Sequence, residues 1–153
     1  MKMPFRVLVD ADACPVKDEI CTVAERHDTE VVFVSNSAFR IPVSPLFTRV
    51  IVNGSFDAAD DWIAQEASPS TVVITADILL AERCLKNGAT VLGSTGKPFT
   101  DNSIGMSVAV RAIMADLRAG VGQGIGGPAP FSKADRSAFL SALHNALNRL
   151  NRA

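Results

Sequence analysis

Five short runs rich in β-branched residues, FRVLVD (5–10), EVVFVS (30–35), RVIVN (49–53), TVVIT (71–75) and ATVL (89–92), recur along the chain, separated by helix-patterned stretches. Continuous apolar runs of this length are what strands buried on both faces require. Strands alternating with helices imply crossover connections and a mostly parallel sheet covered on both sides. The pattern therefore predicts an α/β fold of three layers around a five-stranded, mostly parallel sheet.

The helices between the runs are marked by caps and stripes. Pro15 suits a first helical position, and Val16, Ile20, Val23 and Ala24 form an apolar stripe through about residue 27. Ser55 suits the N-cap of a helix over about 55–67, and Asp77 that of ILLAERCLKN, which Gly88 ends. A further helix is expected from about Ser103 to Ala119. Residues 120–131 hold a glycine- and proline-rich run, GVGQGIGGPAP, with too much backbone freedom for a packed element. After this Gly-rich loop, Ser132 and Asp135 make a capping box with Asp in the acidic place. They open a C-terminal helix over 132–151 with Phe139, Leu143, Leu147 and Leu150 on one face. That helix packs back on the domain or on a second copy, so a homo-oligomer is open. At 153 residues the chain is expected to be a single domain, 1–153.

Composition narrows the functional classes. No apolar run approaches the ~20 residues that span a bilayer, and the short N-terminal run is broken by Asp10 and Asp12, which argues against a signal peptide. Three cysteines, Cys14, Cys21 and Cys84, lack metal-binding spacing and fit a reducing, cytoplasmic setting. Net charge is −1, yet residues 1–76 carry six Lys/Arg against eleven Asp/Glu, and residues 77–153 nine against five. An acidic half joined to a basic half suits a metal centre beside an anion-binding surface.

The acids fall where such a centre would form. Ligands of open parallel sheets bind beyond the carboxyl ends of the strands. Asp10 and Asp12 follow the first strand, and Asp57, Asp60 and Asp61 open the helix after the third. Asp77 follows the fourth strand, and Asp101 the fifth. Singly, each is explained as a helix cap or a first-turn acid. Together they repel one another unless one is protonated or a cation joins them. Asp10, Asp12, Asp57, Asp61, Asp77 and Asp101 are the candidate metal ligands, and Asp10, Asp60, Asp61 and Asp77 the candidate catalytic set. Oxygen ligands without His or Cys select Mg²⁺ or Mn²⁺. Such an ion lowers the pKa of an attacking water, and phosphodiester hydrolysis is the natural reaction.

Weaker signals surround this set. Ser35 and Asn36 after the second strand, and Arg111 and Arg136 in the basic half, are candidate substrate contacts. Lys97, in Gly93-Ser-Thr-Gly96-Lys97, is another, in a segment that lacks phosphate-loop spacing and reads as a turn. Cys14 sits at a helix start, where a thiolate is favoured, but without a base. His27 and His144 read as isolated surface residues.

VDADACPVK, NGSFDAADDWI, TADILLAERCLKNGA and GGPAPFSKADRSAF occur in that order. In them the chain resembles the YaiI/YqxD family of bacterial proteins over nearly its whole length. That family is itself similar to PIN-like domains, a metal-dependent nuclease fold. The resemblance implies a nuclease-like site of Asp10, Asp60 or Asp61, and Asp77 within Thr75-Ala76-Asp77, with Asp12 and Asp101 as extras. The leading expectation is a metal-dependent hydrolase acting on nucleic acid, RNA favoured. The alternatives are a non-catalytic RNA-binding module and a haloacid-dehalogenase-type phosphatase built on Asp10-Ala-Asp12.

Overall fold

A computed structural model describes residues 5–37, 39–52, 57–100 and 131–152. The chain runs through β1 (Arg6–Asp10), a 3₁₀ turn (Ala11–Ala13), α1 (Lys17–His27), β2 (Glu30–Ser35), β3 (Phe47–Ile51) and α2 (Ala58–Glu66). It continues through β4 (Thr71–Ile74), α3 (Ile78–Lys86), β5 (Thr90–Leu92) and α4 (Lys133–Arg152). The five strands form one sheet in the order β3-β2-β1-β4-β5, and every pairing is parallel.

Alternation along the central strands divides the core into two faces. Val7 and Val9 of β1, Phe33 of β2 and Ile74 of β4 share one apolar cluster with α1 and with Phe139, Leu143 and Leu147 of α4. Leu8, Val32, Val34 and Val73 face the opposite way, onto Ala59 and Ile63 of α2 and Leu80 and Cys84 of α3. Helices therefore cover both sides, as parallel strands buried on both faces require. Each fully buried Leu or Phe contributes roughly 1.5–3 kcal/mol, and the α4 stripe supplies Phe139, Leu143 and Leu147 at 1% exposure or less.

Local signals act as the sequence suggests in several places. Asp77 caps α3, its Oδ1 accepting from the Leu79 and Leu80 amides at 2.9 and 3.2 Å. Gly88 follows α3 with φ +88°, a conformation costly for residues with a Cβ. At the start of α4 the Ser132 amide donates to Asp135 Oδ2 at 3.0 Å, and the Asp135 amide donates to Ser132 Oγ at 3.2 Å. That reciprocal pair closes the capping box.

Three boundaries depart from expectation. Pro15 is not the first helical residue, because the 3₁₀ turn intervenes and α1 begins at Lys17. β3 begins at Phe47 rather than Arg49, because Phe47 through Ile51 pair with Val31 through Ser35 of β2. α2 begins at Ala58 with Asp57 at its N-cap, while Ser55 lies outside the described residues. The predicted 103–119 helix and the glycine-rich stretch also lie outside them, apart from Phe131. Among the described residues, no helix is long and apolar enough to cross a membrane.

Candidate metal centre

Strand order changes direction at β1: β2 and β3 extend to one side of it, β4 and β5 to the other. A crevice opens beyond the carboxyl ends of two strands wherever their following helices lie on opposite faces. At the β1–β4 boundary, α1 packs on one face and α3 on the other. The crevice there has a volume of about 530 Å³ and is lined by Asp10, Asp12, Asn36, Ala59, Asp60, Ala76 and Asp77. Among the described residues, four carboxylates thus share one cleft and no Lys or Arg lines it.

Each acid is delivered by its own element. Asp10 is the last residue of β1, and Asp12 lies in the 3₁₀ turn that follows. Asp60 stands in the first turn of α2, oriented by the burial of its neighbours Ala59, Ile63 and Ala64 against the sheet. Asp77 caps α3. Polar residues at the strand ends hold two of these acids. The Thr75 hydroxyl donates to Asp10 Oδ2 at 2.9 Å, and Thr75 Oγ1 accepts from the Asp77 amide at 3.0 Å. The Ser35 hydroxyl donates to Asp12 Oδ1 in a short hydrogen bond, and the Asn36 amide approaches Asp12 Oδ2 at 3.4 Å. Ser35 is itself buried and receives the Ser37 amide on Oγ at 3.1 Å. Ser35 and Asn36 therefore position an acid.

Crowding perturbs the carboxyls. Burial raises Asp10 above the usual carboxylate range, and repulsion from Asp12 and Asp77 adds to it, while the Thr75 hydrogen bond opposes it. Asp60 is raised to about 6 by burial first, then by repulsion from Asp10, Asp77 and Asp57, with Arg83 opposing. An acid held this high at neutral pH is a common mark of a functional cleft, although structural acid networks also produce it.

The other described residues expected at the site lie elsewhere. Asp61 turns away from the cleft to an ion pair with Arg83 at 2.9 Å. Asp57 is exposed at the N-cap of α2 without a side-chain capping bond. Arg136 is tied to α1, its Nη1 2.6 Å from Glu19 Oε1 and 3.1 Å from the Pro15 carbonyl, with its guanidinium over the Phe131 ring. Lys97 lines a neighbouring cavity. Asp101 and Arg111 lie outside the described residues. Cys14 lies before α1 in a half-buried position, and burial raises its thiol rather than favouring a thiolate.

Two relationships had no clear sequence signal. Thr75 was visible only as part of Thr75-Ala76-Asp77, a spacing in which a hydroxyl can receive the amide two residues on. His27 and His144, far from isolated, meet with Nε2 and Nδ1 2.9 Å apart, and Asn148 Nδ2 lies 3.1 Å from the other nitrogen of His144.

The donor chemistry of the cleft suits a hard divalent cation such as Mg²⁺ or Mn²⁺, since every titratable group among its described lining residues is a carboxylate and a cation would relieve their repulsion. As they stand, however, no three His, Cys, Asp or Glu side chains among the described residues are gathered as a ready-made metal set. Asp10 and Asp12 turn oxygens onto hydroxyls, and Asp77 turns one onto helix amides.

Comparison with known proteins places the chain. The family model described as "Uncharacterized BCR, YaiI/YqxD family" matches residues 8–149. The chain belongs to the YaiI/YqxD family. A UPF0178 protein of Sphingopyxis alaskensis is 63% identical over 146 residues, 95% of each chain. One from Jannaschia sp. is 60% identical over 94% of this chain and 93% of its own length. One from Nitrobacter winogradskyi is 56% identical over 97% of this chain and 94% of its own. No solved structure matches the chain. All of the residues that line the cleft lie within the matched span.

Proposed function

We propose that this YaiI/YqxD protein is a metal-dependent hydrolase of phosphodiesters acting on RNA. The observation that carries the reading is the convergence of Asp10, Asp12, Asp60 and Asp77 on one cleft that no basic side chain lines among the described residues. Uncompensated carboxylates at a strand-end crevice are costly without a cation, so their joint placement favours ion binding over four unrelated caps. The similarity of the family to PIN-like nucleases, carried by Asp10, Asp60 or Asp61, and Asp77, is in keeping with the same reading.

In this proposal Asp10, Asp60 and Asp77 would hold Mg²⁺ or Mn²⁺, with Asp12 beside them, and the chemistry such an ion would supply when bound is the acidification of a water. Thr75 orients Asp10 and, through the Asp77 amide, fixes the start of α3. Ser35 orients Asp12. The negative rim needs a basic contribution to accept a polyanion, and the excess of Lys and Arg after residue 77 is suited to supply it.

The test is Mn²⁺ binding by calorimetry together with cleavage of single-stranded RNA. Binding of Mn²⁺ and metal-dependent cleavage, both lost in Asp10→Asn and Asp77→Asn proteins that remain folded, support the proposal. Normal metal binding in both variants, or no cleavage of RNA at any Mn²⁺ concentration, overturns it.

A further inference from the structure

The acidic cleft has a neighbour. Ala76, part of its wall, also lines a second cavity of about 370 Å³ whose far side is the 93–99 loop. That loop is held from within. The Gly93 amide donates to the Lys97 carbonyl and the Gly96 amide to the Gly93 carbonyl, both at 3.0 Å, and the Phe99 amide donates to Val91 at 2.9 Å. Leu92 and Pro98 form an antiparallel bridge. Gly96, at φ +85°, lies so close to α4 that a Cβ there would stand 2.7 Å from the Ala138 carbonyl oxygen. The cavity wall is therefore built before any ligand arrives.

Its chemistry is two-sided. Phe99 packs against the α2–α3 side of the core and, with Pro98, gives an apolar wall. Ser94 and Thr95 are half-buried, and their hydroxyls, like the exposed Lys97 ammonium, make no hydrogen bond or ion pair with the described residues. Lys97 is also the one cation lining either cavity among those residues. An apolar wall facing donors and one ammonium matches a nucleotide, which offers a flat base at one end and a phosphate at the other.

We infer that the 93–99 pocket seats one nucleotide of a single RNA strand, with its base on the Phe99–Pro98 wall and its phosphate toward Lys97. Bases are free to enter such a pocket only when unpaired, which selects single-stranded segments over duplex. The choice of RNA rests on the hydrolase reading of the adjoining cleft, but the pocket binds without the metal, so the two are separable.

The experiment is a titration of isotope-labelled protein in EDTA with adenosine monophosphate, followed by amide NMR, with inorganic phosphate and a short oligoadenylate titrated separately. Saturable shifts centred on Gly93–Phe99 and Ala76 are expected, with oligoadenylate binding at least as tightly as the mononucleotide. Lys97→Ala is expected to weaken binding about 5-fold or more, a loss near 1 kcal/mol. Phe99→Leu, which keeps the core filled, should also weaken it, as should Thr95→Ala. Unshifted 93–99 amides overturn the inference. So do equal shifts from inorganic phosphate alone, or wild-type binding by both Lys97→Ala and Phe99→Leu. Retained nucleotide binding in a protein that neither binds Mn²⁺ nor cleaves RNA overturns the hydrolase proposal and supports the pocket.

Discussion

The Thr75 hydroxyl reaches across 65 positions of sequence to donate to the Asp10 carboxylate at 2.9 Å. Its oxygen simultaneously accepts from the Asp77 amide. One side chain thus links the two central strand ends. Thr75→Val removes both bonds while keeping the shape. The expected cost is about 1–3 kcal/mol in urea unfolding, since Thr75 is buried and its partners lose a bond. Mn²⁺ affinity should also fall, because the oriented state of Asp10 is lost. Unchanged stability and unchanged Mn²⁺ titration would contradict this role.

Asp60 gives a pH signature with a definite sign. Its carboxyl is raised in the folded state to about 6, so the folded protein holds this proton more tightly than the unfolded chain does. Its contribution to stability is therefore full below the ordinary carboxylate pKa and is lost as pH rises through about 6. After solvent screening the effect is about 1 kcal/mol. The difference in stability between wild type and Asp60→Asn, measured from pH 4 to pH 7.5 without metal, should follow that window. Mn²⁺ should raise the melting temperature of the wild type at pH 7.5 and do little at pH 4.5, where the ion competes with protons.

The two acids of α2 should separate cleanly. Asp60→Asn is expected to lower metal-dependent cleavage by 100-fold or more. Asp61→Asn breaks only an exposed pair with Arg83 and should change stability by less than about 1 kcal/mol. Comparable losses of cleavage in both variants would show that Asp61, and not Asp60 alone, serves the cleft.

His27 responds to pH in the opposite sense. Burial first, and then the neighbouring His144, lower the pKa of His27 in the folded state. The stability His27 contributes is present above about pH 6.5 and is lost as pH falls below it. A His144→Gln protein should show a smaller loss of stability between pH 7.5 and 5.5 than the wild type in calorimetric melts.

Gly96→Ala tests the seam between the 93–99 loop and α4. The added Cβ meets backbone at 2.7 Å and the residue must keep φ +85°, so a destabilisation of about 1–3 kcal/mol is expected in denaturant unfolding. A neutral outcome would mean that the loop and α4 separate at little cost.

Much of the architecture was legible because parallel strands buried on both faces write continuous apolar runs, as EVVFVS does for β2. β3 was less legible. It lies at the sheet edge, where Thr48 and Arg49 are exposed, and its register comes from pairing with β2 rather than from its own pattern. Among the acids, sequence brought Asp10 and Asp77 to one rim through the strand-end rule. It could not choose between Asp60 and Asp61, because their facing depends on how Ala59 and Ile63 seat α2. Contacts across long separations, such as His27 with His144 at 117 positions, leave no local trace. The same holds for Arg136, whose partner Glu19 lies as far back.

The division of labour between α1 and α4 bears on how the molecule is made. The five described strands are complete by Leu92, yet Phe139, Leu143 and Leu147 share with α1 the covering of one side of them. During synthesis the part of the Val7, Val9 and Phe33 side that α4 rather than α1 covers therefore stays wet and adhesive until those later residues have left the ribosome. Folding on that side must wait for them, and a chain stalled short of residue 139 would offer an open oily sheet to chaperones and to its own copies.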